Sequence, residues 1–322
     1  MRNDMMTDWD VKKAYQETVK PIFFPVIFID RYWDYYMKLF GQEKKYKEFK
    51  EMFKSGGFTY CSYMDEYNDT TYRCAEKQLT ENQSTVHNMI KSYVDRNITE
   101  NTGNLFPKLN SYDFPDGRYL QVDLHNAFDE ALKNVGVFNP DYESTDEIID
   151  DVSKYDIFKN MKKLRLSVYA YNNSTQMKEL FCICSDEILK KVYLSEDDLM
   201  KHLRERYHKG VRSSGDMYMY EIGYDCVDEI TGDHMIDGIS VNMSVVEIKT
   251  VYLFGNRCKI QFIPGSSLTD YVLGWSRHNI LPPELSPLLL RIGRNEEPTK
   301  MDLAIGNEDK IYFHLNKNDY KI

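Results

Sequence analysis

The sequence predicts an α+β fold: a helical N-terminal region, a central antiparallel sheet with flanking helices, and a small C-terminal α/β extension. Three observations predict it. Apolar residues recur at helical spacing early in the chain, starting with Trp9, Val11, Tyr15 and Val19. The long β-rich runs lie late, at residues 217–222, 239–253 and 258–263. Helices and strands therefore come in blocks, the layout of α+β rather than of alternating α/β chains.

After the first helix, residues 31–54 interleave Tyr32, Trp33, Tyr36, Met37, Phe40, Tyr46, Phe49 and Phe53 with basic positions, and Gly56-Gly57 ends the pattern. A core helix with a lysine face explains this stretch better than a groove stacking nucleic-acid bases. Another helix is expected over 83–94. Residues 101–117 hold Gly103, Pro107, Pro115 and Asp116-Gly117, so they read as a loop and a domain boundary. A strand over 118–122 and a helix over 126–134 follow. Residues 166–171 and 180–184 read as extended and 188–194 as a strand, which puts Ser185-Asp186-Glu187 at a tight turn. Ser195 to Asp198 looks like a capping box for a helix reaching residue 208. A helix over 283–290 and a hairpin of 303–305 with 310–315, turning at Gly306-Asn307, complete the chain. The expected domains are 1–112, helical; 113–265, α+β; and 266–322, the extension.

Composition narrows the function. The 322 residues are 42% hydrophobic and 29% charged, enough for a sizeable core. A net charge of −10 argues against a protein that coats nucleic acid, though an enzyme with a local basic groove stays open. The six cysteines include no CxxC pair and no zinc spacing, so reduced thiols are expected. Cys182 and Cys184, two apart in a strand, would share one face. The N-terminus lacks a signal-peptide layout, and the longest apolar run, residues 21–29, is too short to span a bilayer. The expectation is a cytoplasmic protein with no membrane partner.

Two stretches carry the sharpest chemistry. Residues 119–129 run as an apolar strand into Asp123 and then a helix bearing Phe128; residues 181–189 run from apolar residues into Asp186-Glu187. Carboxylates at strand ends can hold a pair of Mg²⁺ or Mn²⁺ ions, which stabilise the attacking and leaving oxygens of phosphoryl transfer. Lys154, Lys162 and Lys163, between the two stretches, suit the phosphates of a nucleoside triphosphate. The plainer reading makes Asp123 a helix cap and Ser185-Asp186 a turn.

Val122-Asp123, four residues, then Phe128 resembles the first motif of palm-domain polymerases, especially reverse transcriptases and family-B-like DNA polymerases. Cys184-Ser185-Asp186-Glu187 resembles their later acidic turn, with Asp-Glu in place of Asp-Asp. The resemblance covers about residues 115–265 and implies a palm-like sheet. It implies Mg²⁺-dependent nucleotidyl transfer with Asp123 and Asp186 as metal ligands and Glu187 assisting. Phe128 would sense the sugar, and nucleic acid and nucleoside triphosphate would be the partners. It also suggests a viral or phage source, with the host cytoplasm as location. The alternative is a non-catalytic interaction or structural protein that keeps the fold and binds a protein partner. A third reading takes Asp237 with Glu247-x-Lys249, which resembles the core of restriction-type nucleases; such strands also arise from ordinary alternation.

Overall fold

The computed structural model describes residues 7–19, 30–97, 115–159, 161–172, 175–207, 211–212, 217–222, 230–253, 256–262, 272–276, 288, 291, 294–299, 304–307, 310–314 and 320–321. In chain order the elements are α1 (Asp8–Thr18), α2 (Asp30–Leu39), α3 (Glu43–Ser55), α4 (Tyr60–Gln78), α5 (Gln83–Asn97), β1 (Gly117–Leu124), α6 (Ala127–Val135), α7 (Thr145–Val152), a 3₁₀ turn (Asp156–Phe158), α8 (Lys162–Tyr171), α9 (Thr175–Leu194) and α10 (Asp198–Arg206). Strands β2 (Val211–Arg212), β3 (Met217–Ile222), β4 (Gly232–Ile236), β5 (Ile239–Leu253), β6 (Asn256–Phe262), β7 (Val272–Ser276), β8 (Ala304–Asn307), β9 (Lys310–His314) and β10 (Tyr320–Lys321) complete it. The α+β expectation holds. The expected 101–117 loop, the 283–290 helix and Cys226 lie largely or wholly outside the described residues.

The chain divides into two compact units, each assembled from three stretches rather than from one contiguous domain. One comprises residues 1–22, 45–104 and 126–190; the other comprises 23–44, 105–125 and 191–322.

The first unit is helical, and aromatic rings dominate its core. Tyr15, Phe53, Tyr63 and Phe158 are fully buried. Phe49 meets Tyr15 edge-on with centroids 5.2 Å apart, and Tyr63 stacks on Phe158 at 5.3 Å. Such pairs add roughly 0.5–1.5 kcal/mol each beyond area burial. The stretch expected as one core helix over 31–54 is two helices, α2 and α3, broken at Gly41, whose φ is positive (62°); α3 buries Phe49 and Phe53 and exposes Lys44, Lys45, Lys47 and Lys54, a lysine face. Thr7 and Asp10 cap α1 reciprocally, satisfying amides that the helix leaves open.

Residues 166–171 and 180–184, expected to be extended, are helical in α8 and α9. The reason lies in periodicity over a longer window. Met177, Leu180, Cys184, Ile188 and Val192 are buried at steps of three and four, a stripe that only a helix lines up. The short run Phe181-Cys-Ile-Cys matches strand and helix alike when read alone. Cys182 is exposed and Cys184 buried, as a two-residue step on a helix requires, and both are free thiols.

The second unit is built on an eight-stranded antiparallel sheet, ordered β2-β3-β1-β5-β6-β7 with β4 and β10 also paired to β5, and β8 and β9 pair as a separate two-stranded sheet, the hairpin expected at Gly306-Asn307. The 15-residue β5 organises the larger sheet. Val241–Ile248 pairs with β1 while Ile239–Met243 pairs with β4, and Glu247–Leu253 pairs with β6 while Tyr252-Leu253 pairs with β10. A strand has two edges, so β4 and β6 follow one another along one edge, and β1 and β10 along the other. Leu120, Val122 and Leu124 are buried beside Val245, Met243 and Val241 on one face. Gln121 and Asp123 point to the opposite face and are half-buried, as period-2 alternation requires. The β4–β5 hairpin turns on Asp237-Gly238, both with positive φ (49° and 81°), the backbone that a two-residue turn of this twist needs. Among the described residues, no helix is long and apolar enough to cross a membrane.

Candidate functional site

Asp123 lies one residue before the end of β1, opposite Asn242 of β5, and Asn242 lies opposite Asp233 of β4. Directly paired residues share a face, so the three form a polar row across three strands. Asn242 Nδ2 donates to Asp233 Oδ1 at 2.7 Å, and the His125 Nε2 lies 2.8 Å from the same oxygen. These contacts, Asn242 first and His125 second, hold the Asp233 carboxyl below its usual range. His125, just past the strand, thus ties the end of β1 to β4, and its own amide donates to Ser240 O.

The other residues of the expected nucleotidyl-transfer site belong to the helical unit. Asp186 and Glu187 lie inside α9, not at a turn between two strands, so the strand–turn–strand placement is corrected. Glu187 accepts from Tyr93 Oη at 3.0 Å and from Asn134 Nδ2 at 3.3 Å. Phe128, on α6, is stacked between Phe181 at 4.2 Å and Tyr169 at 4.7 Å, so other rings cover both its faces. Lys154 sits in a bend, and Lys162 and Lys163 open α8. Positive charge at that end opposes the helix dipole.

The nuclease trio is not brought together. Glu247 and Lys249 share a face of β5, 3.9 Å apart, and Lys249 also donates to Asn295. Asp237 occupies the hairpin turn, and the eight residue steps of β5 from Ile239 to Glu247 separate them by about 27 Å.

The metal expected from the sequence finds no assembled donor set. Among the described residues no group of three or more His, Cys, Asp or Glu is arranged to hold an ion. Asp123 belongs to the sheet unit, whereas Asp186 and Glu187 belong to the helical one.

Another polar constellation, with no local mark in the sequence, centres on a buried carboxylate of α6. Asp129, the residue after Phe128, is fully buried. Its carboxylate accepts from Thr145 N at 2.9 Å, from Thr145 Oγ1 and from Tyr169 Oη at 3.1 Å. Gln78 Nε2 donates to Thr145 Oγ1, Asn172 Nδ2 to Gln78 Oε1, and Gln83 Nε2 to Asn172 Oδ1. Donors therefore point one way, from Gln83 inward to Asp129, which sits at the N-terminus of α7. Burial pushes the Asp129 carboxyl above its usual range, against the lowering effect of its Thr145 and Tyr169 donors.

The outer end of this chain opens on a cleft of about 510 Å³, lined by residues of α4, of the α4–α5 turn and of the end of α8. Tyr72 and Tyr171 flank it with their rings nearly perpendicular at 5.6 Å, and they are 43% and 48% exposed. Glu76 and Glu81 are the charged residues in its lining, which also includes Thr80, Asn82 and Gln83. A volume of this size falls within the range of small-ligand and side-chain sites. A second recess of about 440 Å³ lies between one face of α5 and Asn134-Val135 of α6. No protein-family model, curated protein or solved structure matches this chain.

Proposed function

We propose that this chain is a non-catalytic interaction protein that engages a protein partner through the Tyr72–Tyr171 cleft of its helical unit. The observation that carries the reading is the pair of half-exposed tyrosines over a floor already ordered by hydrogen bonds. Gln83 donates to both the Tyr171 carbonyl and the Asn172 side chain, and Asn172 donates to the Ala75 carbonyl. A pre-ordered floor lowers the entropic cost of binding. Exposed tyrosines in such a setting give a partner apolar area with a polar tip. The side chains of the catalytic reading, by contrast, serve packing and bonding: Phe128 lies within a three-ring stack and Glu187 bonds Tyr93 and Asn134.

Nucleotidyl transfer is the competing reading, and one pair of experiments separates the two. The chain is titrated with a panel of N-acetyl amino-acid amides (acidic, basic, neutral and aromatic) and followed by NMR. At least one class is expected to move the Tyr72, Gln83, Tyr171 and Asn172 signals saturably, with the effect lost in Tyr171→Ala. Silence across the whole panel would defeat the reading. So would Mg²⁺-dependent primer extension by the wild type that Asp123→Ala abolishes.

A further inference from the structure

We infer that the occupant of this cleft is an arginine side chain presented on an exposed segment of a partner protein. The inference rests on the cleft being the interaction site. Charge selects the class: Glu76 and Glu81 are both negative and no lining residue is basic, so an anionic ligand is repelled and a cation is drawn in. The chain's net charge of −10 acts in the same sense at longer range.

Aromatic geometry narrows the class. Tyr72 and Tyr171 meet edge-to-face with an interplanar angle of 82°, so the cleft offers a ring face and, at right angles to it, a second wall. A cation above a tyrosine face is attracted by the ring quadrupole. The Tyr72 hydroxyl donates to Glu76, which fixes the ring and holds the hydroxyl protonated to higher pH. A phenol donating to a carboxylate is also richer in ring electrons, which strengthens its face toward a cation.

Arginine fits better than lysine for a geometric reason. A guanidinium is planar, stacks on a ring, and carries a fork of donors in its own plane. Stacked on one tyrosine, it directs those donors sideways toward carboxylate and amide acceptors of the lining. A lysine ammonium is compact and more strongly hydrated, so it gains less from the ring wall.

The test uses the full-length chain and four short peptides differing at one central position: arginine, citrulline, lysine and glutamate. Citrulline keeps the shape of arginine and removes its charge. NMR titration is expected to show saturable shifts at Tyr72 and Tyr171 with the arginine peptide, at least about tenfold weaker with citrulline. Lysine should be intermediate and glutamate silent. Glu76→Gln should weaken the arginine peptide while leaving the spectrum of the free protein native-like. Leu166→Ala, an exposed α8 position outside the cleft lining, should change nothing. Equal binding of citrulline and arginine would overturn the inference and leave the cleft an interaction site for neutral side chains. Silence toward arginine, with another class of the amide panel binding, would overturn the inference alone. Silence toward every probe would overturn both. Sedimentation showing that the shifts track self-association would reassign the cleft to a second copy of this chain.

Discussion

Asp129 makes the helical unit sensitive to a single change. Its carboxylate is the acceptor for two side-chain hydroxyls and one backbone amide, all buried. Asp129→Ala would leave those donors facing apolar surroundings, at roughly 1–3 kcal/mol for each one that finds no substitute. A total loss of about 3 kcal/mol by urea denaturation is expected, and a loss below about 1 kcal/mol would refute the acceptor role. Its pH dependence has a definite sign. Because the folded carboxyl titrates above the unfolded value, its contribution is fully present below the unfolded pKa. That contribution is lost as pH rises through the folded pKa. Wild type should therefore lose stability relative to Asp129→Asn as pH is raised through that window, with no further relative change above it. A relative gain on raising the pH would show that the donors outweigh burial. None of this was legible in the sequence. Asp129 stands two residues after Ala127 and two before Ala131, both buried on α6, and an acidic residue there reads as an exposed first-turn charge. Its partners come from positions sixteen and forty residues further on, a separation that no local pattern encodes.

At the scale of elements, legibility followed window length. The alternating strand 118–122 could be read because its signal is local, and so could the helix beginning near residue 198, but its cap is Asp197, which accepts from Leu199 N, and not the expected Ser195. The Asp237-Gly238 turn carried a local signal too, one of the strongest dipeptide markers of a hairpin, yet its aspartate was assigned to chemistry. Helix α9 is illegible in short windows because residues 180–184 and 188–194, on either side of Asp186, each match a β-strand when read alone. The full twenty-residue segment shows an apolar stripe that two strands and a turn would scatter over both faces. The two assignments predict opposite results. A tight turn tolerates proline or glycine, whereas the interior of a helix loses a hydrogen bond and gains a clash. Asp186→Pro is expected to cost about 3 kcal/mol or more, and Asp186→Gly about 0.5 kcal/mol. Hydrogen exchange supplies the direct readout: backbone amides from Leu180 to Lys190 should be protected as one continuous block. Protection broken at 185–187, with Asp186→Pro near neutral, would restore the strand–turn–strand.

At the scale of the whole molecule, the sheet joins stretches that the sequence keeps far apart. β1 lies between β3 and β5, about a hundred residues downstream, and residues 126–190 between them belong to the helical unit. That interleaving is why boundaries at 112 and 265, drawn from composition, describe stretches of chain while each compact unit combines three. Net charge, unlike pairing, was legible from the start, and it supports the last prediction. With 51 acidic against 41 basic residues, the chain as a whole repels a polyanion, and the proposed cleft adds two carboxylates at its working surface. Non-specific binding to nucleic acid depends on lysines and arginines that replace condensed counterions, and it typically reaches about 10⁻⁴–10⁻⁶ M. Fluorescence anisotropy with a labelled duplex and a labelled single strand, at near-physiological salt, should place this chain at or beyond the weak end of that range. Asp123→Ala should leave the value unchanged. A micromolar dissociation constant that weakens steeply with added salt would instead reveal a basic groove strong enough to overcome the net charge. It would return the weight of argument to nucleotidyl transfer at Asp123.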